Sequence, residues 1–151
     1  MSPTVDKGNR FADFEVGQTF KHHWGRTITA GENATFSSIT MNFNPIYFNE
    51  DYATDVGHDR EVVNHMLVLS TIIGLSVEDL SEGGGPFLGL EDVTFHREVY
   101  PGDTLYARSE VTGARESESH PEYGIVTWHC EGYNQDDELV VEYDRTNLIR
   151  K

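Results

Sequence analysis

The chain has 151 residues and a formal net charge of −15, and its length predicts one domain with a buried core, spanning residues 1–151. Its 11 basic residues, of which only Lys7, Lys21 and Lys151 are lysines, are too few for a phosphate-binding surface, which argues against nucleic acid as a partner. We expect no membrane association and a cytoplasmic location, because no run of about 18 apolar residues and no apolar signal segment is present.

The predicted elements begin with a strand at 18–29, which is rich in β-branched and aromatic residues. Thr29 and Glu32 have the spacing of a capping box and predict a helix to about Met41. Asn44 followed by Pro45 predicts a second, short helix that ends near Gly57. The apolar pattern of 61–79 predicts a long helix that is buried on most sides.

The second half of the chain changes to a period of two, which is typical of strands. Residues Leu105, Ala107 and Ser109 should share one face of their strand. The four predicted strands span 88–98, 103–114, 124–133 and 138–150. Cys130 lies in an apolar strand pattern and is predicted to be a core residue, and as the single cysteine it excludes a disulfide within the chain. By contrast, His22, His58 and His120 are predicted to be solvent or loop residues, and His129 a surface or interface residue.

A strand, a long helix and four successive strands indicate an α+β domain. The segment Met41–Glu50 narrows the α+β class to one family of folds, because Asn44-Pro45-Ile46 matches the centre of the motif D-x-N-P-[I/L]-H. It resembles the active-site signature of the MaoC-like (R)-specific enoyl-CoA hydratases. Further segments resemble members of the mesaconyl-CoA hydratase or methylmalyl-CoA dehydratase type; they are 25–29, 62–64, 74–77, 101–106, 124–126 and 132–136.

This resemblance implies a hot-dog fold, in which an antiparallel sheet wraps around a central helix, and a homodimer or higher homo-oligomer. It also implies a coenzyme A thioester substrate, no cofactor and no metal, and reversible addition of water across a 2,3-double bond. A backbone N–H at the start of the central helix would stabilise the enolate-like charge on the thioester oxygen.

Two positions of the motif differ from the family, because Asn42 stands in place of its aspartate and Tyr47 in place of its histidine. Asn42 can orient a water molecule but cannot accept its proton. The helix that begins H-G-M in the family begins Asn64-His65-Met66 here, which adds a titratable side chain. We therefore predict that Asn42, Tyr47 and His65 form the catalytic group, in which His65 is either the base or a polar residue satisfied at the start of the helix. Glu32 is the alternative base, although its spacing also fits the capping box.

The predicted substrate-binding residues surround this group. Phe43, Ile46 and Met66 would form a hydrophobic interior for the acyl chain. Asn44 and Asn64 would bind the substrate beside it. Arg26 would bind a second carboxylate of a branched or dicarboxylic substrate of the mesaconyl-CoA type. His96 and Arg97 would meet the coenzyme A phosphates.

Two other functions fit the same sequence. Loss of both family side chains is also what a non-catalytic acyl-CoA-binding protein or partner subunit would show. A thioesterase would need a carboxylate base, for which Glu32, Glu50 and Asp51 are the nearby candidates. The acidic, lysine-poor composition predicts a halophilic source, since dense carboxylates retain water and cations in concentrated salt.

Overall fold

The structure, a computed structural model, describes residues 2–151 and contains one five-stranded antiparallel sheet and three α-helices. In chain order the elements are β1 (Thr19–Thr27), α1 (Ala30–Ile39), α2 (Glu50–Asp55), α3 (His65–Leu80), β2 (Phe87–Phe95), β3 (Thr104–Glu116), β4 (Tyr123–Tyr133) and β5 (Leu139–Arg150), with 3-10 turns at Phe11–Asp13 and Pro45–Tyr47. The predicted α+β class and the predicted strands are therefore confirmed to within a few residues.

The strands lie in the order β1-β3-β4-β5-β2. Three consecutive strands, β3, β4 and β5, form a meander, as their successive positions in the sequence suggest. The strand β2 pairs instead with β5, from Phe87 opposite Asn147 to Phe95 opposite Val141. Because β1 pairs only with β3 and β2 only with β5, these two strands lie at the two edges of the sheet.

The helix α3 packs against one face of the sheet, mainly on β3 and β1, and supplies Val68, Leu69, Ile72 and Leu80 to the core. The opposing strand residues alternate as predicted, and the buried ones include Leu105, Ala107, Val111, Val126, Trp128, Cys130, Val141 and Tyr143. The prediction that α3 is buried on most sides is wrong for the single chain. Met66 and Val77 are exposed, since α3 has a second face that the sheet does not reach.

The helix α1 begins as predicted, because Thr29 accepts a hydrogen bond from the Glu32 amide and Glu32 accepts one from the Thr29 amide. The second predicted helix is divided in two. Asn44 caps only the 3-10 turn Pro45–Tyr47, and Asn49 then accepts a hydrogen bond from the Tyr52 amide and starts α2 anew.

The core contains two charged or titratable side chains that the sequence did not predict there. His22 is buried, in contrast to its predicted solvent position, because the inward side of β1 includes it along with Phe20. Arg145 of β5 is also buried, with its guanidinium donating hydrogen bonds to Asn147, Ser76 and Ser81. Over the described residues, no helix has the length and apolar character that crossing a membrane would require.

Candidate active site

The site lies where the turn Pro45–Tyr47 passes over the first residue of α3. Tyr47 is buried, with 8% of its surface exposed. Its hydroxyl oxygen lies 3.5 Å from Nδ1 of His65, at the long limit of a hydrogen bond. The half-buried His65 ring also meets the ring of Phe95 edge-on, with 5.1 Å between their centroids. Two of the three predicted catalytic residues are therefore adjacent.

Burial determines the protonation of Tyr47. It raises the pKa of the phenol above the ordinary value of 10, and the backbone of His65, which favours the phenolate, only partly offsets this effect. Tyr47 is consequently a hydrogen-bond donor at neutral pH and cannot serve as a base. Of these two side chains, His65 is the one whose ring carries a nitrogen that can act as an acceptor.

The first turn of α3 is fixed by Asn64, which is itself buried. Its Oδ1 atom accepts a hydrogen bond from the Met66 amide at 2.9 Å, as an N-cap residue does. Its Nδ2 atom donates to the Ser37 hydroxyl at 3.1 Å, and its backbone N–H donates to Oδ1 of Asn33 at 2.8 Å. The start of α3 is thus tied to two polar side chains of α1.

The remaining predicted residues of this region lie on an open surface. Asn42 is exposed, and its Oδ1 atom accepts one weak hydrogen bond, from the Asn44 amide at 3.4 Å. Among the described residues, no hydrogen bond connects Asn42 to Tyr47 or His65. Phe43 and Met66 are 64% and 53% exposed, so the predicted hydrophobic interior is not enclosed in the single chain. Ile46 is half-buried beside them.

Arg26 and Glu32 form an ion pair at one end of a separate groove between α1 and α3. The groove has a volume of about 480 Å³, and its apolar walls are Ile28, Phe36, Leu67 and Leu75. Hydrogen bonds from the Thr29 backbone and from Arg26 lower the pKa of Glu32 below its ordinary value. Glu32 is therefore a stable carboxylate engaged in the capping box and the ion pair.

The predicted phosphate contacts are already paired with carboxylates. His96 Nε2 lies 2.8 Å from Oε2 of Glu142, and an Arg97 nitrogen lies 2.8 Å from Oε2 of Glu138. A phosphate would have to compete with these groups. Glu50 and Asp51, the other candidate thioesterase bases, are exposed in the first turn of α2. Within residues 2–151, no cluster of three or more His, Cys, Asp or Glu side chains is arranged to hold a metal ion.

The sequence analysis missed two buried or partly buried polar groups in this half of the molecule. Glu98 accepts a hydrogen bond from the Tyr100 hydroxyl at 2.8 Å and lies 2.7 Å from Nδ1 of His58. Burial opposes its charge, but these partners outweigh burial and lower its pKa. The second is Asn33, whose spacing of four from Ser37 places two polar side chains on one face of α1. That pattern was visible in the sequence, but only the structure shows that the face is buried.

Comparison with known proteins places this geometry in a family. The family model "Mesaconyl-CoA hydratase" matches residues 1–151. The mesaconyl-CoA hydratase of Haloarcula marismortui is 39% identical to this chain over 147 residues, which are 97% of this chain and 41% of that protein. This chain spans about two fifths of the length of the mesaconyl-CoA hydratases and of the beta-methylmalyl-CoA dehydratase that it matches.

Solved structures agree with the sequence comparison. A MaoC-domain dehydratase of Chloroflexus aurantiacus superposes with a TM-score of 0.91 at 36% identity, over 99% of this chain and 42% of that one. A Mycobacterium tuberculosis protein described as having a double hot-dog fold superposes with a TM-score of 0.84 at 27% identity, over 95% of this chain and 44% of that one. These matches confirm the predicted hot-dog fold.

Proposed function

Because this chain belongs to the mesaconyl-CoA hydratase family, we propose that it catalyses reversible addition of water across the 2,3-double bond of a coenzyme A thioester. The observation that carries the proposal is the Tyr47 hydroxyl beside the His65 imidazole at the N-terminus of a central helix. Family membership supplies the reaction class, and the adjacent pair supplies the groups that could perform it.

In this mechanism the neutral His65 imidazole accepts a proton from water while the water oxygen bonds to C3 of the enoyl group. The electron pair of the double bond moves through C2 to the thioester oxygen, where amides of the first turn of α3 stabilise the charge. C2 then takes a proton from Tyr47 or from the imidazolium, and the two side chains return to their starting protonation states. Asn42 contributes at most a hydrogen bond to the water.

The test is the loss of enoyl absorbance when the protein is mixed with mesaconyl-CoA or crotonyl-CoA. We expect turnover by the wild type and a loss of about 10²-fold or more in His65→Ala. The control is His120→Ala, which removes an exposed histidine in a distant turn. A folded wild-type protein that binds both thioesters without turnover would overturn the proposal in favour of the non-catalytic partner subunit, which the replacement of both family side chains also fits.

We propose that the substrate is dicarboxylic and that Arg26 binds its distal carboxylate, which replaces Glu32 as the ion-pair partner of Arg26. The position of this cation at the end of an apolar groove supports the assignment. Arg26→Ala should raise KM for mesaconyl-CoA and leave KM for crotonyl-CoA unchanged. Arg108→Ala, which removes a partly exposed arginine paired with Asp137, is the matched control. Equal effects of Arg26→Ala on the two substrates would exclude this assignment.

We propose a homodimer in which the exposed face of α3 meets a second copy. Met66 and Val77 of α3 are both more than one third exposed, as are Ile39, Met41 and Phe43 at the end of α1 and just after it. Exposed apolar side chains in such numbers favour an interaction surface. Matched relatives of more than twice this length have room for a second such domain. Light scattering after gel filtration should give twice the chain mass, and Val77→Glu should give the monomer. A monomeric wild type at micromolar concentration would refute the dimer.

We also propose that the protein works in a reducing, salt-rich cytoplasm. The support is the net charge of −15 and the one, buried cysteine. The effect of salt on stability tests the halophilic part of this proposal.

A further inference from the structure

The helix α1 is held against the molecule by polar side chains. Its buried residues are Asn33 and Ser37, and both are fully buried. A buried amide is costly unless its hydrogen bonds are made, so a helix docked in this way depends on the partners of that amide. Asn33 has such partners on two different segments of the active site.

The Asn33 side chain connects the two halves of the catalytic pair. Its Oδ1 atom accepts a hydrogen bond from the Asn64 amide at 2.8 Å, immediately before His65 in the chain. Its Nδ2 atom donates to the Tyr47 carbonyl at 3.3 Å and to the Val62 carbonyl at 2.8 Å. One planar group is thus bonded to the backbone of Tyr47 and to the residue that precedes His65.

The turn that carries Tyr47 has few other attachments to α3. Its neighbours Asn44, Pro45 and Phe48 are exposed. Besides the Asn33 bonds, the Ile46 carbonyl accepts a hydrogen bond from the Val62 amide at 2.8 Å. Because the Tyr47 hydroxyl is already 3.5 Å from Nδ1 of His65, a small outward movement of the turn would separate the pair.

We propose that Asn33 is a positioning residue that sets the distance between Tyr47 and His65. This inference rests on the proposed hydratase function for its kinetic consequence, but its geometric part does not. Asn33 is fully buried and acts only through the backbone of its neighbours. An amide is required because the position needs an acceptor for Asn64 and donors for two carbonyls, and a carboxylate provides only acceptors.

The experiment combines Asn33→Asp with Tyr47→Phe. Asn33→Asp keeps the size of the side chain and the acceptor for Asn64, and it removes both donor bonds. We expect it to lower kcat for the thioester about 10²-fold with little change in KM. In the Tyr47→Phe background the same substitution should lower kcat less than about 3-fold, since the pair it positions is already broken. Equal losses in both backgrounds would overturn the proposal.

A second readout is independent of turnover. In protein labelled with ¹³C-tyrosine, the Tyr47 ring signal is assigned by its absence in Tyr47→Phe. Asn33→Asp should shift this signal and lower the pH at which it titrates, because a displaced turn exposes the phenol to water. An unchanged Tyr47 signal in folded Asn33→Asp would also overturn the proposal. If the wild type turns over no thioester, the hydratase assignment fails while this measurement still decides the position of Tyr47.

Two further variants guard against a merely structural effect. Ser76→Ala removes a buried hydroxyl that binds Arg145 at the other end of α3, so it should lower stability and leave the Tyr47 signal unchanged. If Asn33→Asp does not fold, Ser37→Ala replaces it, because it removes the partner of the Asn64 side chain and leaves Asn33 in place. Its smaller loss in kcat should likewise vanish in the Tyr47→Phe background, and persistence of that loss would count against the proposal.

Discussion

The Nδ1 atom of His22 lies 2.7 Å from Oδ2 of Asp79, so a histidine with a fully buried ring ties β1 to the C-terminal turn of α3. Its Nε2 atom lies 2.9 Å from the Ser109 hydroxyl on β3. Burial lowers the pKa of His22 below its ordinary value, and this effect exceeds the opposite effect of Asp79. The folded protein therefore binds a proton at His22 less readily than the unfolded chain does.

The first prediction is a loss of stability in mild acid that depends on His22. The unfolded chain takes up a proton at His22 as the pH falls through about 6.5, whereas the folded protein resists it. The contribution of His22 to the free energy of unfolding is thus complete above that pH and decreases below it. Urea unfolding at pH 7.5 and 5.5 should show a smaller decrease in His22→Asn than in the wild type. Equal decreases would contradict the buried, neutral state of His22.

The second prediction concerns His129, for which the sign is reversed. Burial opposes its charge, but Asp144, Glu131 and Glu142 together outweigh burial and raise the pKa. Its contribution to stability is present below about pH 6.5 and is lost as the pH rises through the folded-state pKa. Between pH 6 and pH 8 the wild type should lose more stability than His129→Asn. The difference should shrink in molar salt, because His129 is one third exposed.

The third prediction is that Tyr47→Phe separates activity from stability. The phenol donates a proton or hydrogen bond in the proposed reaction, so kcat should fall by roughly 10²-fold. Its contact with His65 is long, and the free energy of unfolding should change by less than about 1 kcal/mol. Enoyl absorbance and urea unfolding measure the two quantities, and Tyr52→Phe, an exposed tyrosine of α2, is the control. Full activity in Tyr47→Phe would remove Tyr47 from the mechanism.

The fourth prediction concerns Arg145, which is 2% exposed and has no carboxylate within ion-pair distance among the described residues. Its three hydrogen bonds to Asn147, Ser76 and Ser81 require the planar guanidinium fork. Arg145→Lys should therefore lower the free energy of unfolding by about 2–4 kcal/mol. Arg108→Lys, at a partly exposed position, should change the free energy of unfolding by less than about 0.5 kcal/mol. Similar small effects in both variants would show that the Arg145 bonds contribute little.

The fifth prediction is that salt stabilises the fold. At a net charge of −15, carboxylates repel one another, and raising KCl from about 0.1 M to 1 M shortens the screening length from about 10 Å to 3 Å. The melting temperature should rise by more than about 4 °C, which corresponds to roughly 1 kcal/mol or more. Sucrose at matched osmolality is the control, because it is excluded from the protein surface as salt can be but does not screen charges. A melting temperature that does not change with KCl concentration would contradict the halophilic interpretation.

Local patterns predicted most of the secondary structure of this protein. Thr29 and Glu32 specify the start of α1 through their own side chains, so a stretch of four residues was sufficient there. The strand alternation likewise identified Leu105 and Ala107 as core residues. The division of the second helix depended on Asn49, whose capping bond competes with continuation of the turn begun at Pro45.

Features that depend on distant segments could not be predicted in this way. The placement of His22 inside the core follows from Asp79 and Ser109, which are far away in the chain. The sequence analysis put Tyr47 and His65 in one predicted site and the structure brings them into contact, while their catalytic roles stay a prediction. The proposed dependence of this contact on Asn33 was not predicted, because a polar residue in a helix is ordinarily exposed and only tertiary contacts make it buried.

The position of β2 at the edge of the sheet, beside β5, determines the order in which the strands can pair during synthesis. The strand β2 is synthesised before β3, β4 and β5, but it can pair only after its partner residues Val141 to Asn147 of β5 have been made. Until then β2 has no partner strand, and the adjoining turn of α3 is not held by the complete sheet. Long-range strand pairing of this kind is slow. We expect nascent chains that stop before Leu139 to bind chaperones, and the addition of β5 to complete the five-stranded sheet.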